Sequence, residues 1–106
     1  MVEDELLLEK IVKIIVDIAN PNKIFLFGSR AKGTDTRYSD YDFLIIKSNV
    51  ENERNISRKI YRELYQRKIN APIDIIVADT SKFEKNKKNP LFIYKKALDE
   101  GRILYG

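Results

Sequence analysis

Three short apolar runs alternate with segments of helical periodicity, and this alternation limits the chain to a small set of folds. The runs are Lys23–Phe27, Tyr41–Ile46 and Ile73–Val77. They are rich in β-branched and aromatic side chains, which favours buried strands over helices. A chain of 106 residues has room for one domain. We therefore predict a single domain over residues 1–106, of α/β or α+β class, with a mixed three- to four-stranded sheet flanked by helices.

Helical periodicity is strong before the first run and between the second and third runs. Residues 4–19 carry leucines and isoleucines at helical spacing and end at Asn20-Pro21. Ser48 and Glu51 fit a capping box at the start of a second helix, which we expect to end near Asn70.

The last quarter of the chain predicts a helix and a short strand. Residues 79–89 form a polar, lysine-rich connection in this interpretation. Asn89 and Pro90 suit the cap and first position of a helix that ends before Gly101. Residues 103–105 are apolar and predict an edge strand.

Two aspartates stand at the entrance of the second predicted strand. Asp40 and Asp42 are separated by one residue, so the two-residue period of a strand points both carboxylates to one face. Carboxylates held so close repel each other unless a cation lies between them. The chain has no histidine and no cysteine, and an all-oxygen ligand set favours magnesium or manganese.

The third predicted strand is apolar except for Asp74. A lone aspartate in such a strand requires a partner. If this strand lies beside the second one, Asp74 completes a set of three carboxylates with Asp40 and Asp42. Such a set can hold two ions about 3.5–4 Å apart, which stabilise the attacking and leaving oxygens of a phosphoryl displacement. Asp74 is then the best candidate to accept a proton from an attacking hydroxyl.

The first predicted strand ends in a potential phosphate-binding turn. Gly28 allows a tight turn, and Ser29 with the following backbone amides can donate hydrogen bonds to phosphate oxygens near a helix start. Glycine-serine pairs and Asp-x-Asp turns are each common, and alone either one is usually structural. Their combination with a third aspartate in a later strand favours a functional site.

These residues resemble a known signature. Gly28-Ser29, followed after ten residues by Asp40-Tyr41-Asp42, is similar to the motif of the DNA polymerase beta-like nucleotidyltransferase superfamily. The fuller match, which extends through Lys32-Gly33 and Ser39, resembles its minimal, single-domain branch. Asp74 matches the third carboxylate of that family. The resemblance implies the nucleotidyltransferase fold. It also implies that Asp40, Asp42 and Asp74 bind magnesium, as two ions, and manganese could replace magnesium.

The same resemblance implies a substrate and a partner. Gly28, Ser29 and Arg30 would position a nucleoside triphosphate, with ATP as the donor. Minimal members of this kind resemble the antitoxin of a toxin–antitoxin pair whose partner is a HEPN-type RNase toxin, and some inactivate the toxin by adenylylating a tyrosine. A hetero-oligomer or a homodimer is expected, and nucleic acid is not required. Two alternatives stay open, namely an antitoxin that acts by binding alone and a small-molecule nucleotidyltransferase.

Charge and hydropathy add weaker indications. The net charge of +4 suits a polyanionic ligand such as a triphosphate. The basic residues between Arg54 and Lys68 are interpreted as a solvated helical face. The alternative, which has less support, is that Tyr61 and Tyr65 on this helix stack on bases or on a partner. No apolar run approaches the length of a membrane span, and the amino terminus lacks a basic segment leading into an apolar stretch. We therefore expect a cytoplasmic protein without a membrane partner.

Overall fold

The computed structural model describes residues 2–106, with side chains from residue 4 onward. Five helices and four strands lie in this range. In chain order they are α1 (Val2–Ala19), β1 (Lys23–Phe27), α2 (Ser29–Lys32), β2 (Tyr41–Lys47), α3 (Glu53–Gln66), β3 (Ile73–Asp79), α4 (Thr80–Asn86), α5 (Ile93–Glu100) and β4 (Arg102–Tyr105). The three predicted strands are confirmed.

The four strands form one mixed sheet in the order β3-β2-β1-β4. β1 pairs antiparallel with both β2 and β4, whereas β2 and β3 run parallel. In the parallel pair Tyr41 lies opposite Ile73, and Asp42 lies opposite Asp74. The predicted neighbourhood of the second and third strands is thereby confirmed. Aspartates from two distant segments now stand at the same level of the sheet.

Each face of the sheet packs against its own pair of helices. On one face α1 and α3 cover a large core that contains Ile11, Ile15, Phe43, Ile45 and Ile60. On the other face α4 and α5 cover a smaller core of the following residues: Phe25, Phe27, Leu44, Ile46, Ala78, Phe83, Tyr94 and Ala97. The alternation of side chains along each strand supplies both cores from the same backbone.

The start of α3 differs from the prediction. Asn52, and not a capping box of Ser48 and Glu51, caps the helix, and its side chain accepts a hydrogen bond from the amide of Asn55 at 3.2 Å. The Ser48 hydroxyl instead lies 3.0 Å from the Thr80 hydroxyl. The helix also ends at Gln66, earlier than the predicted end near Asn70.

The predicted connection over residues 79–89 is wrong, because it contains α4. Asp79 caps this helix by accepting a hydrogen bond from the amide of Ser81 at 2.9 Å. Phe83 anchors it, with its ring 6.0 Å from that of Phe25 and 5.5 Å from that of Tyr94. A single buried aromatic side chain fixes a segment that otherwise looks like a charged loop.

The predicted cap of α5 is also wrong. The helix begins at Ile93, and the Asn89 side chain accepts a hydrogen bond from the amide of Leu91 within a turn that precedes the helix. The buried face consists of Tyr94 and Ala97, whereas Leu91 is 89% exposed. The predicted end before Gly101 and the edge strand over residues 103–105 are confirmed. Within the described residues, no helix combines the length and apolar character required to cross a bilayer.

Candidate active site

Asp42 and Asp74 lie side by side on the face of the sheet that carries α4 and α5. Leu44 and Ile46 lie two and four residues after Asp42 on the same strand, so they share its face. Both belong to the smaller core. Because the two aspartates are register partners on paired strands, their backbones are about 4.8 Å apart. Asp40 is exposed and directly precedes β2. The structure therefore brings Asp42 and Asp74 together and places Asp40 at the entrance to the pair.

Gly28 allows the Asp42 carboxylate to lie against the backbone. The residue has φ 76° and ψ −161°, a conformation that is essentially restricted to glycine. A Cβ atom at this position would lie 2.3 Å from Asp42 Oδ2, well inside van der Waals contact. The glycine at the end of β1 is therefore required both by the turn and by the carboxylate next to it.

Ser29 begins the short helix α2 directly after this glycine. The first amides of a helix have no intrahelical acceptors and point outward. Within the described residues, the Ser29 hydroxyl makes no hydrogen bond, and the residue is partly exposed. The predicted phosphate-binding turn thus stands next to the aspartate pair with donors available for an anionic ligand.

The charges around Asp42 are unfavourable for its ionised form. Burial and, to a smaller extent, the carboxylates of Asp74 and Asp40 raise the pKa of Asp42 above its ordinary value. The Lys96 ammonium on α5 acts in the opposite direction and lowers the pKa of Asp42. The repulsion of three carboxylates therefore outweighs the one opposing cation.

Hydrogen bonding does not relieve this repulsion. In the part of the chain that the structure describes, neither Asp40 nor Asp42 has a side-chain hydrogen-bond or ion-pair partner, and Asp74 has one, the Tyr61 hydroxyl at 3.4 Å. A buried or partly buried charge that lacks partners costs stability, so such groups are normally paired or bound to a metal. Such an arrangement is suited to bind a cation.

The donor set fits a hard divalent ion, although the site is not a closed cage. Three carboxylates and no nitrogen or sulfur ligand match the preference of magnesium and manganese for oxygen. The charges of Asp74 and Asp40 both raise the pKa of Asp42, as expected for carboxylates close to it. Among the described residues, however, no three such side chains surround a common point as a preformed metal site. The assignment of Asp40, Asp42 and Asp74 as ligands stays a prediction.

Arg30 makes contacts that organise the loop before β2. Its guanidinium donates to the Ser39 carbonyl at 3.0 Å and to Asp35 Oδ2 at 3.2 Å. The same group lies 3.9 Å from the centre of the Tyr41 ring. These contacts hold the segment that carries Asp40 and Asp42. A role for Arg30 toward phosphate stays a prediction.

Two residues at the site carry no clear signal in the sequence. Lys96 is one of two adjacent lysines on α5, and only the tertiary packing of that helix brings its charge near Asp42. Tyr61 lies on a helix of the opposite layer and reaches Asp74 around the edge of the sheet. The register of α3 on the sheet, which a sequence pattern does not specify, decides this contact.

Comparison with known proteins gives one family. The sequence model described as "Polymerase beta, Nucleotidyltransferase" matches residues 9–106, and this range contains every residue of the candidate site. No curated protein gives a significant match to the chain.

Three solved structures share the fold. A toxin–antitoxin MntA–HpeT double mutant aligns with a TM-score of 0.65 at 20% identity, over 93% of this chain and 73% of that one. A toxin–antitoxin structure with AMP-PNP aligns with a TM-score of 0.62 at 21% identity and the same coverage. A second MntA–HpeT mutant gives 0.54 at 19% identity, over 92% and 70% of the two chains. At these identities the likeness establishes a shared fold.

Proposed function

The chain belongs to the polymerase beta nucleotidyltransferase family, and from this premise we propose that it is an antitoxin that transfers AMP from ATP to a tyrosine hydroxyl of a HEPN-type RNase toxin. The proposal requires magnesium, or manganese in its place, at Asp40, Asp42 and Asp74. One observation carries it, which is the placement of the three carboxylates beside a glycine-serine turn. Among the described residues, Asp40 and Asp42 have no hydrogen-bond or ion-pair partner, and Asp74 has only the Tyr61 hydroxyl.

Each residue of the site has a separate task in this reaction. Ser29 and the first amides of α2 bind the triphosphate. Asp40 and Asp42 provide the charge that binds divalent ions, which when bound neutralise phosphate oxygens and orient the α-phosphate. Asp74 accepts the proton of the attacking hydroxyl as the new phosphoester forms and pyrophosphate leaves. Lys96, whose charge acts on Asp42, binds a phosphate oxygen in this proposal.

A toxin as partner and an adenine nucleotide as donor are supported by the solved structures that share the fold. Two of the three aligned structures are of a toxin–antitoxin pair named MntA–HpeT, and the third is of a toxin–antitoxin with AMP-PNP, an adenine nucleotide. Asp74 is exposed on the edge strand of the sheet. A tyrosine on the surface of another protein can reach such a carboxylate, which supports a macromolecular acceptor.

The test is transfer to the protein encoded next to this chain in its genome. The purified pair is incubated with magnesium and each nucleoside triphosphate in turn, and intact masses are recorded. We expect the neighbour to gain the mass of AMP, with the modification mapping to a tyrosine.

The matched control is the Asp40→Asn, Asp42→Asn double variant, which keeps the size and polarity of both side chains. A mass gain that persists with this variant would contradict the assignment of the site. A stable complex that protects cells from the toxin without any mass gain would favour neutralisation by binding.

A further inference from the structure

Tyr61 joins the two layers of the domain at the edge of the sheet. Its helix, α3, packs with α1 on the face opposite Asp74. The side chain passes around β3, accepts a hydrogen bond from the amide of Ile75 at 2.7 Å, and lies with its hydroxyl 3.4 Å from Asp74 Oδ1. A residue of the structural layer thus contacts a carboxylate of the candidate site.

The position of β3 explains why a hydroxyl is present at this point. β3 is an edge strand, so the amides on its outer side have no partner in the sheet. Tyr61 provides an acceptor for one of these amides, which holds the phenolic oxygen in place. A hydroxyl has one proton to donate in addition to its lone pairs. Asp74 Oδ1 is its only side-chain acceptor among the described residues.

The hydroxyl keeps this proton at neutral pH. An unperturbed tyrosine hydroxyl has a pKa of about 10, so it needs no special environment to be protonated at pH 7. The separation of 3.4 Å is longer than the mode of about 2.7–2.8 Å for such bonds. Catalytic hydrogen bonds are often long in ligand-free enzymes and tighten when the complex forms.

We propose that Tyr61 is a positioning residue, which fixes the orientation of the Asp74 carboxylate toward bound metal and acceptor hydroxyl. The inference rests on the proposed function, because it assigns Tyr61 to the same reaction. A carboxylate on an exposed strand edge turns freely about its side-chain bonds unless a second group holds one oxygen. With Oδ1 held by Tyr61, the carboxylate turns less freely and Oδ2, which has no partner among the described residues, stays available to a metal or a hydroxyl.

The expected size of the effect follows from other metal sites. Residues that hydrogen-bond to metal ligands typically change metal affinity or activity about 10–100-fold when they are removed. The Tyr61–Asp74 contact is partly exposed and single, so we expect the lower end of this range. A tyrosine that merely satisfies the Ile75 amide would affect the stability of the fold and leave metal binding unchanged.

The experiment compares Tyr61→Phe with Tyr65→Phe in the full chain. Both tyrosines lie on α3, but Tyr65 is 83% exposed and makes no side-chain hydrogen bond to the described residues. Binding of Mn²⁺ alone is measured by titration calorimetry, and kcat and KM for ATP are measured with the partner protein. For Tyr61→Phe we expect about 10-fold weaker Mn²⁺ binding and about 10-fold lower kcat, with KM within about 2-fold. Tyr65→Phe should leave all three unchanged.

An Asp74→Asn background separates positioning from a general structural role. There, Tyr61→Phe should cause no further loss of Mn²⁺ affinity, because the oriented charge is already absent. A lower Tm with unchanged Mn²⁺ affinity and kcat, or an equal loss in both backgrounds, would overturn the positioning role while leaving the proposed function intact. Absence of Mn²⁺ binding to the unsubstituted chain would overturn both, so the two failures are distinguishable.

Discussion

The two ends of the parallel pair β2 and β3 provide opposite environments for an aspartate carboxylate. At one end Asp79 accepts hydrogen bonds from the amides of Val50 and Ser81, both at 2.9 Å, and these bonds lower its pKa. At the other end Asp42 has no partner among the described residues, and burial with the neighbouring carboxylates raises its pKa. The ionised carboxylate is thus stabilised at Asp79 and destabilised at Asp42, although both residues lie on adjacent strands of the same pair.

The difference separates a carboxylate that serves the fold from those that we propose for the chemistry. Asp79 ends β3, caps α4 and fixes the connection that follows β2, so its bonds serve the architecture. Asp40 and Asp42 make no such bonds to the described residues, and Asp74 has only its contact with Tyr61. Groups that burial and neighbouring like charges disfavour in their ionised form are typical of functional sites. If this division is right, substitutions of the two kinds of aspartate have different effects on transfer and on stability, and the loss of transfer is the largest of them.

Asp42→Asn should lower the rate of nucleotidyl transfer by at least about 10³-fold. The carboxylate is one of the proposed metal ligands, and a metal contributes several kcal/mol to the transition state, of which each 1.36 kcal/mol is tenfold in rate. The measurement is the initial rate of AMP incorporation into the partner. Asp79→Asn is the matched change at the other end, and its rate per folded molecule should equal that of the parent chain.

Gly28→Ala should lower transfer by about 10²-fold. The new Cβ would lie 2.3 Å from Asp42 Oδ2, and a displacement of about 1 Å at a reacting centre can cost this factor. Gly33→Ala is the control, because Gly33 also has φ 76° but no atom lies within 4 Å of a Cβ there. Both variants should lose stability from the strained backbone, and the rate should fall for Gly28→Ala alone. If Gly28→Ala and Gly33→Ala transferred AMP at equal rates, Gly28 would not contribute to the site.

Lys96→Met should raise KM for ATP about 10-fold and change kcat less. Its ammonium opposes the carboxylate charge near Asp42, and a hydrogen bond to a charged group is worth about 1.5–3 kcal/mol. Lys95→Met is the control, because Lys95 forms an ion pair with Asp99 on the same helix. If both variants raise KM alike, the effect comes from the net charge of α5 and not from the site.

In the absence of metal, Asp42→Asn should raise Tm by a few degrees and Asp79→Asn should lower it. The first substitution removes a repelling charge, and the second weakens a helix cap. Thermal unfolding followed by circular dichroism in a chelating buffer gives both values. A loss of stability for Asp42→Asn would mean that this carboxylate stabilises the fold, as Asp79 does, and that the two aspartates do not differ in role.

The pH dependence of these two stability changes should differ in sign. The pKa of Asp42 is raised in the folded chain, so its contribution is present below the unfolded value of about 3.9 and is lost as the pH rises through the higher folded value. The pKa of Asp79 is lowered, so its contribution is present above about 3.9 and is lost as the pH falls through the lower folded value. At pH 7, Asp42→Asn should therefore be more stable and Asp79→Asn less stable than the parent. Both differences should shrink toward pH 3, which scans at several pH values check.

The sequence predicted most of the sheet and the local pattern of the site. Strands of apolar and β-branched residues have a strong two-residue signal, and Gly28, Ser29, Asp40 and Asp42 are held by short-range geometry. The pairing of Asp74 with Asp42 was a conditional expectation that the parallel register confirms.

The failures have a common physical cause. α4 was missed because its helical face contains one anchoring residue, Phe83, among lysines and other polar residues, too few for a periodic signal. The predicted cap at Asn89 failed because asparagine stabilises turns as readily as helix starts. Lys96 and Tyr61 reach the site only through helix packing, which depends on residues far apart in the chain. Sequence periodicity contains no information on such contacts.

The two cores have a consequence for how such a chain evolves. Asp42 lies partly buried at the edge of the smaller core, whereas Asp40 and Asp74 are exposed. A lineage that replaced Asp42 by asparagine would keep both cores and lose the repulsion between the carboxylates, so it would fold more stably. Selection for folding alone would thus erase the carboxylate cluster. The cluster is therefore the kind of feature that only selection for activity would keep, at a cost in stability.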